Sequence, residues 1–395
     1  MIECRTIKEL CSVVVDCPHS TPTWTAEGKI VVRSNNIKNG RIDFSSPSYT
    51  DDEHFQQRIK RATPQSGDII ITREAPMGEV GMIPEGIVCC LGQRMVLLRA
   101  NPEICDNYYL LYSLQSRYVQ HQISWSEGTG TTVSNLRIPH LEQLKIPYLP
   151  LSKQRQVSSV LRCLEGKIEQ NRVINDNLEQ QVQAYFQELF VDNADPAWTL
   201  GTISDLGTVV GGSTPSKSKP EYYTEDGIAW ITPKDLSINK AKFISHGEND
   251  ITELGLKNSS ASIMPEGTVL FSSRAPIGYI AIASGEVTTN QGFKSVVPKP
   301  KIGTAYVYCF LKHNLPVVEG MASGSTFKEV SGSTMKNVPA VIPDTETLTC
   351  FNDFCAPIFA HQRILEEQNQ SLAALRDSLL PKLMSGEIDV SAIQL

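Results

Sequence analysis

The chain is written twice. GDIIITREAPMG at 67–78 returns as GTVLFSSRAPIG at 267–278, an offset of 200 residues. EGKIVVRSNNI at 27–37 shares its pattern with DGIAWITPKDL at 226–236 at an offset of 199, and GTGTTV at 128–133 is echoed by ASGSTF at 322–327. The exits correspond too, KIPYLP at 145–150 against KNVPAVIP at 336–343. Identities are modest, but order and spacing persist over more than a hundred residues, which chance does not produce. Whatever this chain folds into must be built from two copies of one unit.

Each unit holds short β-branched runs, Asp68-Ile69-Ile70-Ile71-Thr72 in the first and Gly267-Thr268-Val269-Leu270-Phe271 in the second, bounded by Gly and Pro. Such runs read as strands between turns. Helical stretches follow around 105–121 and 304–315, so both units are mixed α and β. The shared Ala-Pro-x-Gly (75–78 and 275–278) reads as a tight structural turn, Pro fixing φ and Gly supplying an unusual backbone angle.

A long helix pattern follows each unit. In the first, Val157, Leu161, Leu164, Ile168, Asn171, Asn175, Leu178, Val182, Tyr185 and Leu189 recur in steps of four and three. In the second, Phe351, Phe354, Ile358, His361, Leu365, Gln368, Leu372, Leu375 and Leu379 do the same. A 3.5-residue repeat sustained this long marks a coiled-coil seam. Pro357 is expected to delay or kink the start of the second helix. Asn171, Asn175, His361 and Gln368 are costly against an apolar partner, but opposite one another they can hydrogen-bond and fix one register. The two helices therefore pair with each other, antiparallel if a pseudo-two-fold axis relates the repeats. A first helix near 37 residues is about 55 Å long. The expected fold is α+β: two mixed α/β domains (1–150 and 192–345) and two long helices (151–191, and 346–395 with its tail).

Composition limits the function. Of 395 residues, 41% are hydrophobic and 20% charged, enough apolar surface for packed cores. No apolar run approaches the ~20 residues that span a membrane, and MIECRTIKELCSVVVD lacks the apolar core of a secretory signal, so the expected location is the cytoplasm. The net charge of −7 is awkward for a nucleic-acid binder, but residues 346–395 carry seven acids against three bases. Residues 1–150 hold 15 bases and 16 acids, and 192–345 hold 13 and 15, so either block can present a basic face. The ten cysteines (4, 11, 17, 89, 90, 105, 163, 309, 350 and 355) form no CxxC pair and read as reduced thiols, not a metal site.

With this architecture the chain resembles the specificity subunits of Type I restriction–modification systems. LEQLKIPYLPLSKQRQV (141–157) is similar to that family's exit from a target-recognition domain into its first long helix. GGSTPSKSKPEYYTEDGIAWITPKDL (211–236) is similar to the opening of such a domain, and LAALRDSLLPKLMSGEI (372–388) to the family's C-terminal helix ending. The first unit departs, with CPHSTP at 17–22 in place of GGSTP and GQR at 92–94 where the second has NQGF at 290–293. The resemblance implies two target-recognition domains, each reading half of an asymmetric bipartite site on double-stranded DNA. It also implies a helix spacer that docks methyltransferase subunits and, through them, restriction subunits, with no catalytic residue, metal or cofactor in this chain. The acidic C-terminal segment is either a face for basic partners or a solvated surface.

Direct readout needs polar side chains on loops. The candidates are Arg33, Asn35, Asn36, Arg73, Gln93, Arg94 and Thr131 in the first unit. In the second they are Thr214, Lys217, Lys219, Lys234, Arg274, Gln291, Lys294, Ser325 and Lys328. Arg73 and Arg274 are expected to be near-equivalent beside the repeated turn. Two other readings stay open: a stand-alone methyltransferase or nuclease, and a coiled-coil scaffold that never touches DNA. Against the first, the chain has neither a [DN]PP[FY] motif nor a GxxxxGK[ST] loop. The cysteine spacing predicts that the purified protein contains close to zero zinc by atomic absorption; one equivalent per chain contradicts it.

Overall fold

The computed structural model describes residues 3–38, 40–125, 135–324 and 328–390. Thr131 and Ser325 lie outside them. The chain divides into two units, Met1–Ile168 with Ser371–Leu395, and Glu169–Gln370.

In the first unit Cys4–Thr6 pairs antiparallel with Lys145–Pro147. Thr6 and Glu9 then form a capping box that starts the single turn Ile7–Leu10. A four-stranded antiparallel sheet follows in the order Cys11–Asp16, Met95–Ala100, Ile69–Thr72, Val80–Met82. Its strands are apolar at successive positions because both faces are covered: Ile69, Ile71, Val96 and Leu98 enter one core, Ile70, Leu97 and Met95 another. A smaller sheet, Ser48–Thr50, Lys29–Val32 and Cys89–Leu91, ends in a parallel pair.

The second unit repeats this plan. Thr199–Thr202 pairs with Pro339–Ile342, and a capping box of Thr202 and Asp205 starts Ile203–Leu206. The main sheet runs Gly207–Gly211, Lys294–Pro298, Val269–Ser273, Ile277–Ala283, Phe243–Ile244. The smaller sheet again ends in a parallel pair, Ile228–Ile231 with Thr288–Thr289. Alternate residues again serve different cores, Val269 and Phe271 in one, Leu270 in the other. The repeat reaches single hydrogen bonds. Tyr109, in the helix Asn107–Gln115, donates to the Pro147 carbonyl at 2.9 Å. Tyr306, in Thr304–His313, donates to that of Val341 at 2.8 Å. Each bond ties a domain helix to the strand that feeds a long helix.

The long helices run Leu151–Gln187 and Thr345–Met384. The first leaves through a wider turn, Glu188–Asp192, closed by Asn193 N–H onto the Glu188 carbonyl. Pro357 does not delay the second: Asp344 caps its start by accepting from Thr347 N at 2.9 Å, and Pro357 lies inside it on the exposed side. Pairing is antiparallel in each unit. In the second, Asn171 donates to Asn369 at 3.0 Å while Gln362 donates to the Asn175 carbonyl at 3.1 Å. In the first, Glu165 pairs with Arg376 at 3.5 Å, and Val157 and Leu161 share a core with Leu383 and Met384.

The seam of the first helix falls on the expected series: Leu161, Ile168, Asn171 and Val182 are buried, and Leu164, Asn175 and Leu178 partly so. In the second helix alternate positions are shifted by one residue. Ile358, Leu365 and Leu372 lie on the buried side, but His361 and Leu375 are exposed, and Gln362, Asn369 and Arg376 face inward instead. Gln368, although exposed, still accepts from Asn171 at 3.4 Å, as the seam reading expects. A 4-3 repeat and a 3-4 repeat share half their positions. Apolar Phe354 and Leu375 suggested the wrong phase, because the inward side chains are polar and satisfied by partners on the facing helix.

Within the second unit the strand Phe243–Ile244 is fastened to both helices. Lys242, just before it, is almost fully buried, pairs with Glu179 and donates to Gln362 Oε1 at 2.6 Å. Its ammonium also lies 4.0 Å from the Phe359 ring centre. Glu179 binds Lys312 at 2.6 Å as well. Burial pushes the Glu179 carboxyl up, but Lys242 and Lys312 outweigh it and hold the group at about 2, against an ordinary 4.5. A folded value below the unfolded one adds stability above the unfolded value and loses it as pH falls. Glu179→Gln, which strands the Lys242 charge, is expected to cost about 3–5 kcal/mol near neutral pH. It should also flatten the loss of stability as pH falls from about 4.5 toward 2. Urea unfolding followed by circular dichroism across that range checks both; a pH profile identical to the parent chain's contradicts the role given to Glu179.

Candidate nucleic-acid interface

The repeated turn is built the same way in both units. Thr72 Oγ1 donates to the Pro76 carbonyl at 2.6 Å and accepts from Glu79 N at 3.0 Å. Ser272 Oγ donates to that of Pro276 at 2.9 Å and accepts from Tyr279 N at 2.7 Å. Both Ala-Pro bonds are cis, and Gly78 and Gly278 have φ of 84° and 95°. The neighbouring segment is anchored alike, by Arg73 N onto the Arg94 carbonyl and Ser273 N onto that of Gly292. These bonds match Arg73 with Ser273, Glu74 with Arg274, and Gln93 with Gln291.

In the second unit five of the candidates line one cleft of about 690 Å³: Thr214, Lys217, Lys234, Arg274 and Gln291, with Trp230, Asn249 and Asn290. They come from four separate stretches of chain, brought together by the smaller sheet and the repeated turn. Thr214 donates to Gln291 Oε1, and Lys234 pairs with Glu248 at 2.5 Å. Arg274 also lines an adjoining hollow with Lys328 and Glu329, and its guanidinium rests 3.5 Å from Glu329. Lys294 lies 3.8 Å from Glu329 and is mostly buried. Burial pushes it down and Arg274 adds to this, while Glu329 opposes both. Lys219 lies on the exposed surface beside Glu221 at 3.6 Å.

In the first unit Gln93 donates to the His19 carbonyl, and Arg94, exposed, pairs with Glu74 at 3.1 Å. Glu74 also accepts from Asn135 at 2.7 Å. Arg33 is exposed and stacks 5.2 Å from the Trp24 ring centre. Asn35 is exposed, while Asn36 turns back to accept from Arg33 N at 2.9 Å, a local cap.

Arg73 departs from expectation. Its guanidinium is held by Asp16 at 3.0 Å, the Leu136 carbonyl at 2.9 Å and Asn135 at 3.2 Å, with 11% of the side chain exposed. A guanidinium so enclosed must have partners, and these leave it bracing the turn instead of facing outward. Nor is it the counterpart of Arg274, which is Glu74. The 200-residue offset already aligned those two, but matching arginine with arginine hid it. Arg58, which no motif in the sequence singles out, has a buried guanidinium that donates to the carbonyls of Leu91, Gly92, Ser20 and Pro18 and clamps 18–20 against 91–92.

One constellation has the look of a catalytic triad: Thr23 Oγ1 lies 2.9 Å from His54 Nε2, and His54 Nδ1 lies 2.7 Å from Asp51. Asp51, however, is the N-cap of Asp52–Arg58 and accepts from His54 N at 2.8 Å, so the group serves a helix start. Among the described residues no cluster of three or more His, Cys, Asp or Glu is placed to hold a metal, and no helix is long and apolar enough to cross a membrane.

The family model for the Type I restriction modification DNA specificity domain matches residues 3–180 and again 197–368. The MjaIX specificity subunit of Methanocaldococcus jannaschii is 40% identical over 191 residues, 46% of this chain and 44% of that protein. The HindI specificity subunit of Haemophilus influenzae is 28% identical over 194 residues, 48% and 42% of the two chains. The matches thus span less than half the length of these two relatives. The crystal structure of the S subunit from M. genitalium covers 97% of this chain and 96% of its own at 18% identity, with a TM-score of 0.56, which establishes a shared fold. With the family's domain found once in each half of the repeat, the chain belongs to the Type I restriction modification DNA specificity family.

Proposed function

We propose that this chain is the sequence-reading subunit of a Type I restriction–modification complex, each domain engaging one half of an asymmetric, bipartite site on double-stranded DNA. The observation that carries the reading is the double one: a specificity domain matched in both units, and five polar candidates of the second gathered on one cleft beside the repeated turn. Loops on a rigid sheet are where readout residues belong.

The two helices act as the spacer. Both run through the division between the units, at Ile168 and Ser371, so their length sets the unread gap. Their outward faces carry exposed apolar side chains, among them Val173, Ile174 and Ile364. This supports docking of methyltransferase subunits there, with restriction subunits recruited through them. Methyl transfer and cleavage then belong to those partners, and this chain needs no cofactor. Near-neutral domains supply few phosphate contacts, so the partners contribute part of the grip on DNA.

Inserting one heptad after Ile168 and another after Gln370 is expected to lengthen the gap in the methylated motif by about three base pairs, seven residues of helix being about 10 Å. Both half-sites should remain as they were. A motif with an unchanged gap contradicts the spacer role, and a chain that shows no salt-sensitive DNA binding favours a scaffold without DNA contact.

A further inference from the structure

The two domains display opposite charges from the same point of the same turn. Glu74 and Arg274 each precede the Ala-Pro bond, each on a turn closed by the hydroxyl of residue 72 or 272. Beside each stands a glutamine, Gln93 or Gln291, which bonds His19 or Thr214 respectively. The frame is thus held constant by backbone and buried hydroxyls, while a single partly exposed position switches from carboxylate to guanidinium. Each charge has a local counterpart, Glu74 in Arg94 and Asn135 and Arg274 in Glu329, yet neither is sealed off: 21% of the Glu74 side chain and 37% of the Arg274 side chain remain exposed. Arg274 also borders two adjoining hollows of its domain, the larger of which holds five of the polar candidates.

We infer that positions 74 and 274 are the specificity-determining pair of this protein, Arg274 donating to the acceptor edge of a guanine and Glu74 accepting from the exocyclic amino group of a cytosine or adenine. The chemistry is complementary. Guanine presents only acceptors, O6 and N7, in the major groove, which suits the two-pronged guanidinium, while a carboxylate can only accept and needs an amino donor. Arg73 and Ser273, one residue earlier, cannot do this: Arg73 is enclosed, and Ser273 is buried with its hydroxyl on the Gly292 carbonyl. The assignment rests on the DNA-reading function proposed above.

The test is to sequence methylated positions in DNA from hosts that express the cognate methyltransferase subunit with the parent chain, Arg274→Ala, Arg274→Lys or Glu74→Gln. Discrimination at one base of the second half-site is expected to fall by about ten- to a hundredfold in Arg274→Ala. Arg274→Lys, which keeps the charge but loses the fork, should fall at the same base, with the first half-site untouched in both. Glu74→Gln should change one base of the first half-site only. A variant motif identical to the parent's overturns the assignment, as does a loss of methylation shared by all sequences, which marks a phosphate contact. If the parent chain itself directs no bipartite motif, the DNA-reading function fails, and that outcome is distinct from either.

Discussion

Asn171, fully buried in the first long helix, donates to Asn369 of the second, and four residues along the Asn175 carbonyl receives Gln362. These polar contacts allow one register and one direction. Slipping either helix by a turn leaves buried amides facing aliphatic groups, at a cost of about 1–3 kcal/mol for each unsatisfied group. An apolar seam would be more permissive. In the other unit Glu165 does comparable work, accepting from Tyr112 at 3.0 Å and pairing with Arg376 at 3.5 Å.

Each domain is joined to the helices by bonds of the same type. Tyr109 and Tyr306 tie a domain helix to the strand that leads into a long helix, and in the second unit the buried Lys242 links its strand to Glu179 and Gln362. Lys242 gains little net energy from its own burial, since desolvation opposes the attraction. What it provides is orientation, because an uncompensated ammonium there is not tolerated. A domain so fixed holds its turn and cleft in one orientation to its own stretch of the helices, the arrangement that the proposed spacer role requires.

Much of this was legible in the sequence. The 200-residue repeat implied two similar α and β units, and the 4-3 spacing implied the helices, because periodicity reports burial directly. The phase of the second helix was not legible. Choosing between His361 and Gln362, or Leu375 and Arg376, by hydrophobicity fails when the inward residue is polar and its partner lies some two hundred positions away. The fate of Arg73 was hidden for the same reason: Asp16 and Asn135 are each about sixty residues distant along the chain. Arginine on a loop looks alike in sequence whether it faces DNA or braces a turn. The pairing of Glu74 with Arg274 was available from the offset alone, and only a preference for like chemistry concealed it.

The most direct test of a two-headed, non-catalytic reader is to sequence methylated bases in a host that carries the cognate methyltransferase subunit, with and without this chain. The structure leads us to expect a bipartite, asymmetric motif that appears only when both are present. Methylation directed by this chain alone, or an active methyltransferase whose motif does not depend on it, would contradict the account.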